Sequence, residues 1–133
     1  MGRENRMIEL TLSELMDSAS VMQELAKKPM KTKAAFQTAR LMREVENEYS
    51  LFQDARTKLI DKYAEKDENG KPKPDENGNY TVPKNDIEAF NKELRDMLEQ
   101  TLTLNAEPIS IEDLGDADFT PADMMLLAPF MKE

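Results

Sequence analysis

The chain has 133 residues, a net charge of −9, 34% charged residues and 6% aromatics, with ten methionines and no tryptophan. That length suits one domain, and its core has to be built from aliphatic side chains and adaptable methionine. With no cysteine there are no disulfides, thiolate nucleophiles or cysteine metal sites, and with no histidine the commonest general base and transition-metal ligand are missing.

Met7-Ile8-Glu9-Leu10-Thr11-Leu12 alternates apolar and polar residues, which predicts a short strand with Ile8, Leu10 and Leu12 on one face. Thr11 with Glu14 three residues on has capping-box form, so a helix is expected to start near Leu12 or Ser13. Leu15, Met16, Ala19, Met22, Leu25 and Ala26 continue at helical spacing. Lys27-Lys28-Pro29 ends that helix, because cations favour a helix C-terminus and proline stops the pattern.

A second helix is expected from a cap at Thr32 to about Ala64. Its apolar seam reads Ala35, Met42, Val45, Tyr49, Phe52, Leu59 and Tyr63, flanked by Phe36, Ala39 and Ile60, at a step of about 3.5 residues. Such a helix is roughly 48 Å long at 1.5 Å per residue, so it is expected to protrude or to pair with another chain. Residues 66–83 break the pattern. Asp-Glu-Asn-Gly occurs twice, at 67–70 and 75–78, and each Asn-Gly is a turn signal. This stretch is expected to be an exposed loop or ribbon tip, with Tyr80-Thr81-Val82 as a candidate edge strand.

A third helix is expected from about Asp86 to Thr101, capped by Asn85 and striped by Ile87, Phe90, Leu94, Met97 and Leu98. It should fold back antiparallel on the second. Leu102-Thr103-Leu104 follows, and Ile109–Ile111 alternates again. The expectation is that Ile109–Ile111 pairs with Met7–Leu10 in a two-stranded sheet tying the N- and C-terminal segments together, packed on helices. Thr120-Pro121-Ala122-Asp123 carries the signals of a last helix start; the helix is expected to carry Met124 and Leu127, with Phe130 as a further candidate, and to end by Pro129. The expected fold is mainly α (α+β): a long antiparallel helical hairpin, short helices and a small sheet, in one domain spanning 1–133.

Charge is unevenly distributed. Residues 1–65 carry eleven acids and eleven bases, residues 66–104 nine and six, and residues 105–133 seven and one. Lys27, Lys28, Lys31, Lys33, Arg40 and Arg43 form an acid-free run and a candidate partner-binding patch. Lys31 and Lys33 flank a helix start, where the dipole disfavours cations, which makes sense if an anion docks there. That anion could be the protein's own acidic segment, an acidic protein partner or nucleic acid; Phe36 alone in the run gives base stacking little support. Glu112, Asp113, Asp116 and Asp118 form the candidate acidic site, either a solvated connection or a decoy for a phosphate backbone.

Residues 65–76 mimic an EF-hand loop: Glu65, Asp67, Asn69, Gly70 and Glu76 fall at its first, third, fifth, sixth and twelfth places. Glu at the first place, Pro72 at the eighth, Lys71 and Lys73 nearby, and no clear helix after Glu76 depart from it. A turn-rich loop is the expected reading. Paired acids such as Glu44 and Glu48 fall on the back of the expected seam, and no phosphate loop or nucleophile elbow is present. No catalytic residue, metal site or cofactor is expected. The ten methionines read as core filling or as an adaptable exposed groove. The start lacks an apolar leader and no segment is long enough to span a bilayer, so a cytoplasmic protein with no membrane partner is expected.

The strand opening into a short helix, Leu59-Ile60-Asp61-Lys62-Tyr63, the Asp-Glu-Asn-Gly turns, Phe90-Asn91-Lys92-Glu93-Leu94 and the closing Ile109–Leu127 pattern together resemble a family of small proteins from bacteriophages and prophages. The resemblance implies a viral origin, with a role in virion assembly or directed at the host, and no catalytic residues. The expected function is a non-enzymatic protein-binding or assembly protein, self-associating in one version, working through its long helix and polarised surface. The alternative is an acidic inhibitor of a host defence or nucleic-acid-processing protein; a calcium-binding protein or small enzyme is a minor one.

Overall fold

In a computed structural model, which describes residues 7–115 and 117–132, the elements follow the apolar periods of the sequence. Strand β1 (Ile8–Thr11) leads directly into helix α1 (Leu12–Asp17). The junction is a complete capping box: the Glu14 N–H donates to Thr11 Oγ1 (3.1 Å) and the Thr11 N–H to Glu14 Oε1 (2.8 Å). The expected single helix to Ala26 is in fact two, α1 and α2 (Ala19–Ala26), interrupted at Ser18. Ser18 is fully buried, and its hydroxyl donates to the Leu15 carbonyl at 2.7 Å. A side chain that takes a backbone carbonyl for itself competes with the helical ladder.

Helix α3 (Thr32–Tyr63) is continuous over its expected length, and Lys66 closes its end by donating to the Asp61 and Ala64 carbonyls. Its buried line differs from the expected seam. Ala34, Thr38, Leu41, Val45, Phe52 and Leu59 are buried, whereas Ala35, Phe36, Ala39 and Tyr49 are exposed. The 3.5-residue step was correct, but the first half of the line sits one position earlier. Thr38 takes a place in this line. Its hydroxyl donates to the Ala34 carbonyl (2.9 Å) and lies 3.3 Å from Met30 Sδ, so it is fully satisfied and packs as a small branched core residue.

Helix α4 (Ile87–Leu98) follows a short 3₁₀ turn, Lys84–Asp86, rather than a cap at Asn85, and it ends three residues before Thr101. Thr101 instead opens strand β2 (Thr101–Leu104), and this is the partner of β1. The pair is antiparallel, with Ile8 opposite Leu104 and Leu10 opposite Leu102. The expected pairing of Ile109–Ile111 with Met7–Leu10 is therefore corrected: β3 (Ile109–Ser110) pairs in parallel with β4 (Met131–Lys132). Both candidate segments alternate equally well, and period-two patterning cannot choose between them. Helix α5 (Pro121–Leu127) begins with the second capping box, Thr120 with Asp123, and a 3₁₀ turn, Ala128–Phe130, leads into β4.

The chain divides into two units, Met1–Tyr49 with Gln100–Glu133, and Ser50–Glu99. The first holds the main core: Ile8, Leu10, Leu15, Val21, Met22, Leu25, Leu41, Val45, Leu104, Ile109, Leu114, Leu127 and Phe130. Ile8 and Ile109 share this core without being strand neighbours. The second unit contains the distal part of α3, the turn-rich loop and α4. Tyr63 meets Phe90 edge-on (6.1 Å between ring centroids) and Lys62 pairs with Glu93 at 3.2 Å, so the last turn of α3 packs beside α4. No helix among the described residues is long and apolar enough to cross a membrane.

Candidate protein-binding surfaces

The acid-free run of the sequence does not fold into one patch. Lys27 is exposed at the end of α2. Lys28 and Lys31, on the connection into α3, line an open cleft of about 720 Å³ together with Glu112 and Asp113 from the 3₁₀ turn Ile111–Leu114. The Lys28 ammonium also sits over the Phe119 ring, 5.4 Å from its centroid. Part of the basic run thus faces part of the acidic segment within the same unit. Asp118 is exposed, and Asp116 lies outside the described residues.

Lys33 and Arg40 lie away from that cleft, while Arg43 lines another one together with Lys28 and Met30. Lys33, Arg40 and Arg43 are all exposed on the side of α3 opposite its buried line, and Phe36 lies among them with 61% of its surface exposed. Positions 33, 36, 40 and 43 share one face at helical spacing. The Arg40 guanidinium covers the Phe36 ring at 5.0 Å. Beside them is a smaller cleft of about 320 Å³, lined by Met7, Phe36, Gln37, Arg40 and Glu107 among others. Gln37 Nε2 donates to Glu107 Oε2 at 3.1 Å. Among the described residues, the ion pairs within 4 Å are Lys62–Glu93 and Lys92–Asp96, so the bases on this face of α3 carry none. Sequence reading placed Phe36 beside the seam; the one-residue shift turns it outward.

Methionine is divided between core and surface. Met22 is buried, and Met16, Met30, Met42, Met124 and Met131 pack partly buried against the core, while Met7 is 47% and Met125 79% exposed. Glu44, expected on the back of the seam, accepts the Asn105 N–H at 2.9 Å and so closes the end of β2.

In the second unit the repeated tetrapeptide gives a repeated structure. Asp67 Oδ1 accepts the N–H groups of Asn69 and Lys71 (2.8 and 3.0 Å), and Asp75 Oδ1 those of Asn77 and Asn79 (2.8 and 2.9 Å). Gly70 and Gly78 take φ of 77° and 80°, which other residues adopt at a cost. The bridges Lys66–Pro72 and Pro74–Tyr80 close the two tips, and Tyr80 extends into no longer strand. The EF-hand-like spacing folds as these twin turns, with the Asp67 carboxylate spent on its own backbone. Among the described residues no three carboxylates gather as a metal site would require.

Around Glu93 the electrostatics are local. The Tyr63 hydroxyl and then the Lys62 ammonium hold the Glu93 carboxyl below its ordinary range, and Glu93 in turn raises both Lys62 and Tyr63. All three groups are solvent-accessible. No protein-family model, curated protein or solved structure matches the chain.

Proposed function

We infer that this is a non-catalytic protein-binding protein that uses the outward face of α3, from Lys33 to Arg43, to hold an acidic protein surface. The observation that carries this reading is Phe36. A large aromatic, mostly exposed, under an arginine and between two further cations is the composition of a binding hot spot. The cations select an acidic partner, and the ring with Met7 supplies the apolar anchor. A single aromatic and a net charge of −9 favour a protein over nucleic acid.

A bacteriophage origin, with a role in assembly or against the host, belongs to the same proposal. The acidic-decoy alternative has less behind it, because Glu112 and Asp113 share their cleft with Lys28 and Lys31. The test is nuclease-treated affinity capture with the wild type and with Phe36→Ala/Arg40→Glu. A protein retained by the first and lost from the second, in a salt-sensitive manner, supports the reading. Equal retention by both, or retention only when nuclease is omitted, overturns it.

A further inference from the structure

Helix α4 is strongly amphipathic, yet none of its residues is buried, whereas every other α-helix of the described residues buries at least one. The contacts Tyr63–Phe90 and Lys62–Glu93 fix which side of α4 meets α3. At about 100° per residue, Phe90, Glu93 and Met97 lie on that side, and Ile87, Leu94 and Leu98 form a ridge on the adjoining flank of the same apolar stripe, turned further outward. Ile87 is 43% exposed, and Leu94 and Leu98 are half-buried.

The charges beside this ridge say what fits it. Glu88 and Arg95 lie along its outer flank, Lys84 is in the turn just before the helix and Glu99 caps its end; all four are exposed. Among the described residues none of the four is in an ion pair. Lys92, a further exposed base near the middle of this run, is paired with Asp96; the four exposed charges outside any ion pair run plus, minus, plus, minus along the chain and minus, plus, minus, plus when read backwards. An antiparallel copy therefore sets Glu88 against Arg95 and Lys84 against Glu99, each pair made twice, and both centred between Asn91 and Lys92. A parallel copy would set like on like. A pattern that is its own complement on reversal is what a twofold interface needs and what an unrelated partner does not.

We propose that two copies of this chain associate about a twofold axis through α4, with the Ile87–Leu94–Leu98 ridges packed antiparallel, Asn91 near the axis and Glu88 facing Arg95 of the other copy. This surface is carried by a different helix from the Lys33–Arg43 face, and either proposal can fail alone.

Equilibrium sedimentation of the full chain is expected to give twice the chain mass at high concentration, and Ile87→Glu, at a half-exposed position, to give the single mass with an unchanged far-ultraviolet circular dichroism spectrum. Glu88→Arg puts arginine against Arg95 at two places and weakens the dimer by roughly tenfold. Glu88→Arg with Arg95→Glu restores it, although within one helix the double change sets the new arginine four residues before Lys92 and the new glutamate four residues before Glu99, both like-charge spacings. The cysteine-free chain allows a sharper test. Asn91→Cys should oxidise to a linked dimer, and Ala89→Cys, exposed on the opposite side of α4, should not. A monomer at all concentrations, a double charge variant as weak as the single, or equal linking at 89 and 91 overturns the proposal.

Discussion

Leu41→Ala and Phe36→Ala test which side of α3 is the inner one. Leu41 is fully buried in the main core, and the change removes three carbon groups at about 0.8 kcal/mol each, about 2.4 kcal/mol. A residual cavity of about 40 Å³ at about 24 cal/mol per Å³ adds about 1 kcal/mol, for a loss of about 3–4 kcal/mol. Phe36, 61% exposed, should cost less than about 1 kcal/mol despite being the larger side chain. Urea titration followed by circular dichroism measures both. By heat, about 2.1 cal/mol/K per residue over a chain of this length makes about 3 kcal/mol a drop of about 11 °C in Tm. Equal losses for the two variants, or a larger loss for Phe36→Ala, would refute the assigned register, and with it the outward-facing aromatic on which the binding proposal stands.

In the second unit Phe52→Ala should cost about 3–5 kcal/mol, since Phe52 is 7% exposed; a loss below about 1 kcal/mol by the same titration would mean that the distal face of α3 is misassigned. Gly70→Ala forces a Cβ into the left-handed region at about 1–2 kcal/mol, with open space around it, so amide exchange should quicken at Asn69 and Lys71 while the main core is unmoved. The Glu93 carboxyl, followed by carbon-13 NMR, should titrate below the ordinary glutamate range and move up in Tyr63→Phe more than in Lys62→Met. The sign follows from linkage: a carboxyl lowered on folding adds stability above its unfolded pKa, and that stability is lost as pH falls through the lowered value. Lys62 and Tyr63, both raised, add stability that is lost as pH rises through their folded values.

What the sequence made legible was local. Thr11 with Glu14 and Thr120 with Asp123 each satisfy backbone groups within one turn, so the signal and its cause are adjacent in the chain. The twin Asp-Glu-Asn-Gly turns were legible for the same reason. The partner of β1 was not. Leu102-Thr103-Leu104 and Ile109-Ser110-Ile111 offer the same alternation, and the choice depends on α4 ending at Leu98, which brings Gln100 to accept the Leu12 N–H at 2.9 Å. The register of α3 slipped because residue type stood in for burial. Thr38 and Ser18 are polar by composition and core by position, since each hydroxyl donates to a carbonyl three or four residues back and leaves nothing that needs water.

The candidate site failed to be legible in a different way. Six bases without an intervening acid look like one patch, but the chain turns between them. Lys28 and Lys31 precede the first turn of α3 and face Glu112 and Asp113, while Lys33 and Arg40 are carried round to its far side by the helical period and Arg43 lines a cleft shared with Lys28. The net charge of a segment does not report this division, because charges add along a sequence regardless of direction. Phe36 does report it, once the buried line is known. An exposed ring in water loses the transfer energy it would gain by burial, and the guanidinium at 5.0 Å recovers only part of that. A partner that covers both regains the remainder, and carboxylates on it would meet Arg40, which among the described residues is in no ion pair. Phe36→Ala should therefore lose binding with stability nearly intact, a separation that a core aromatic would not show.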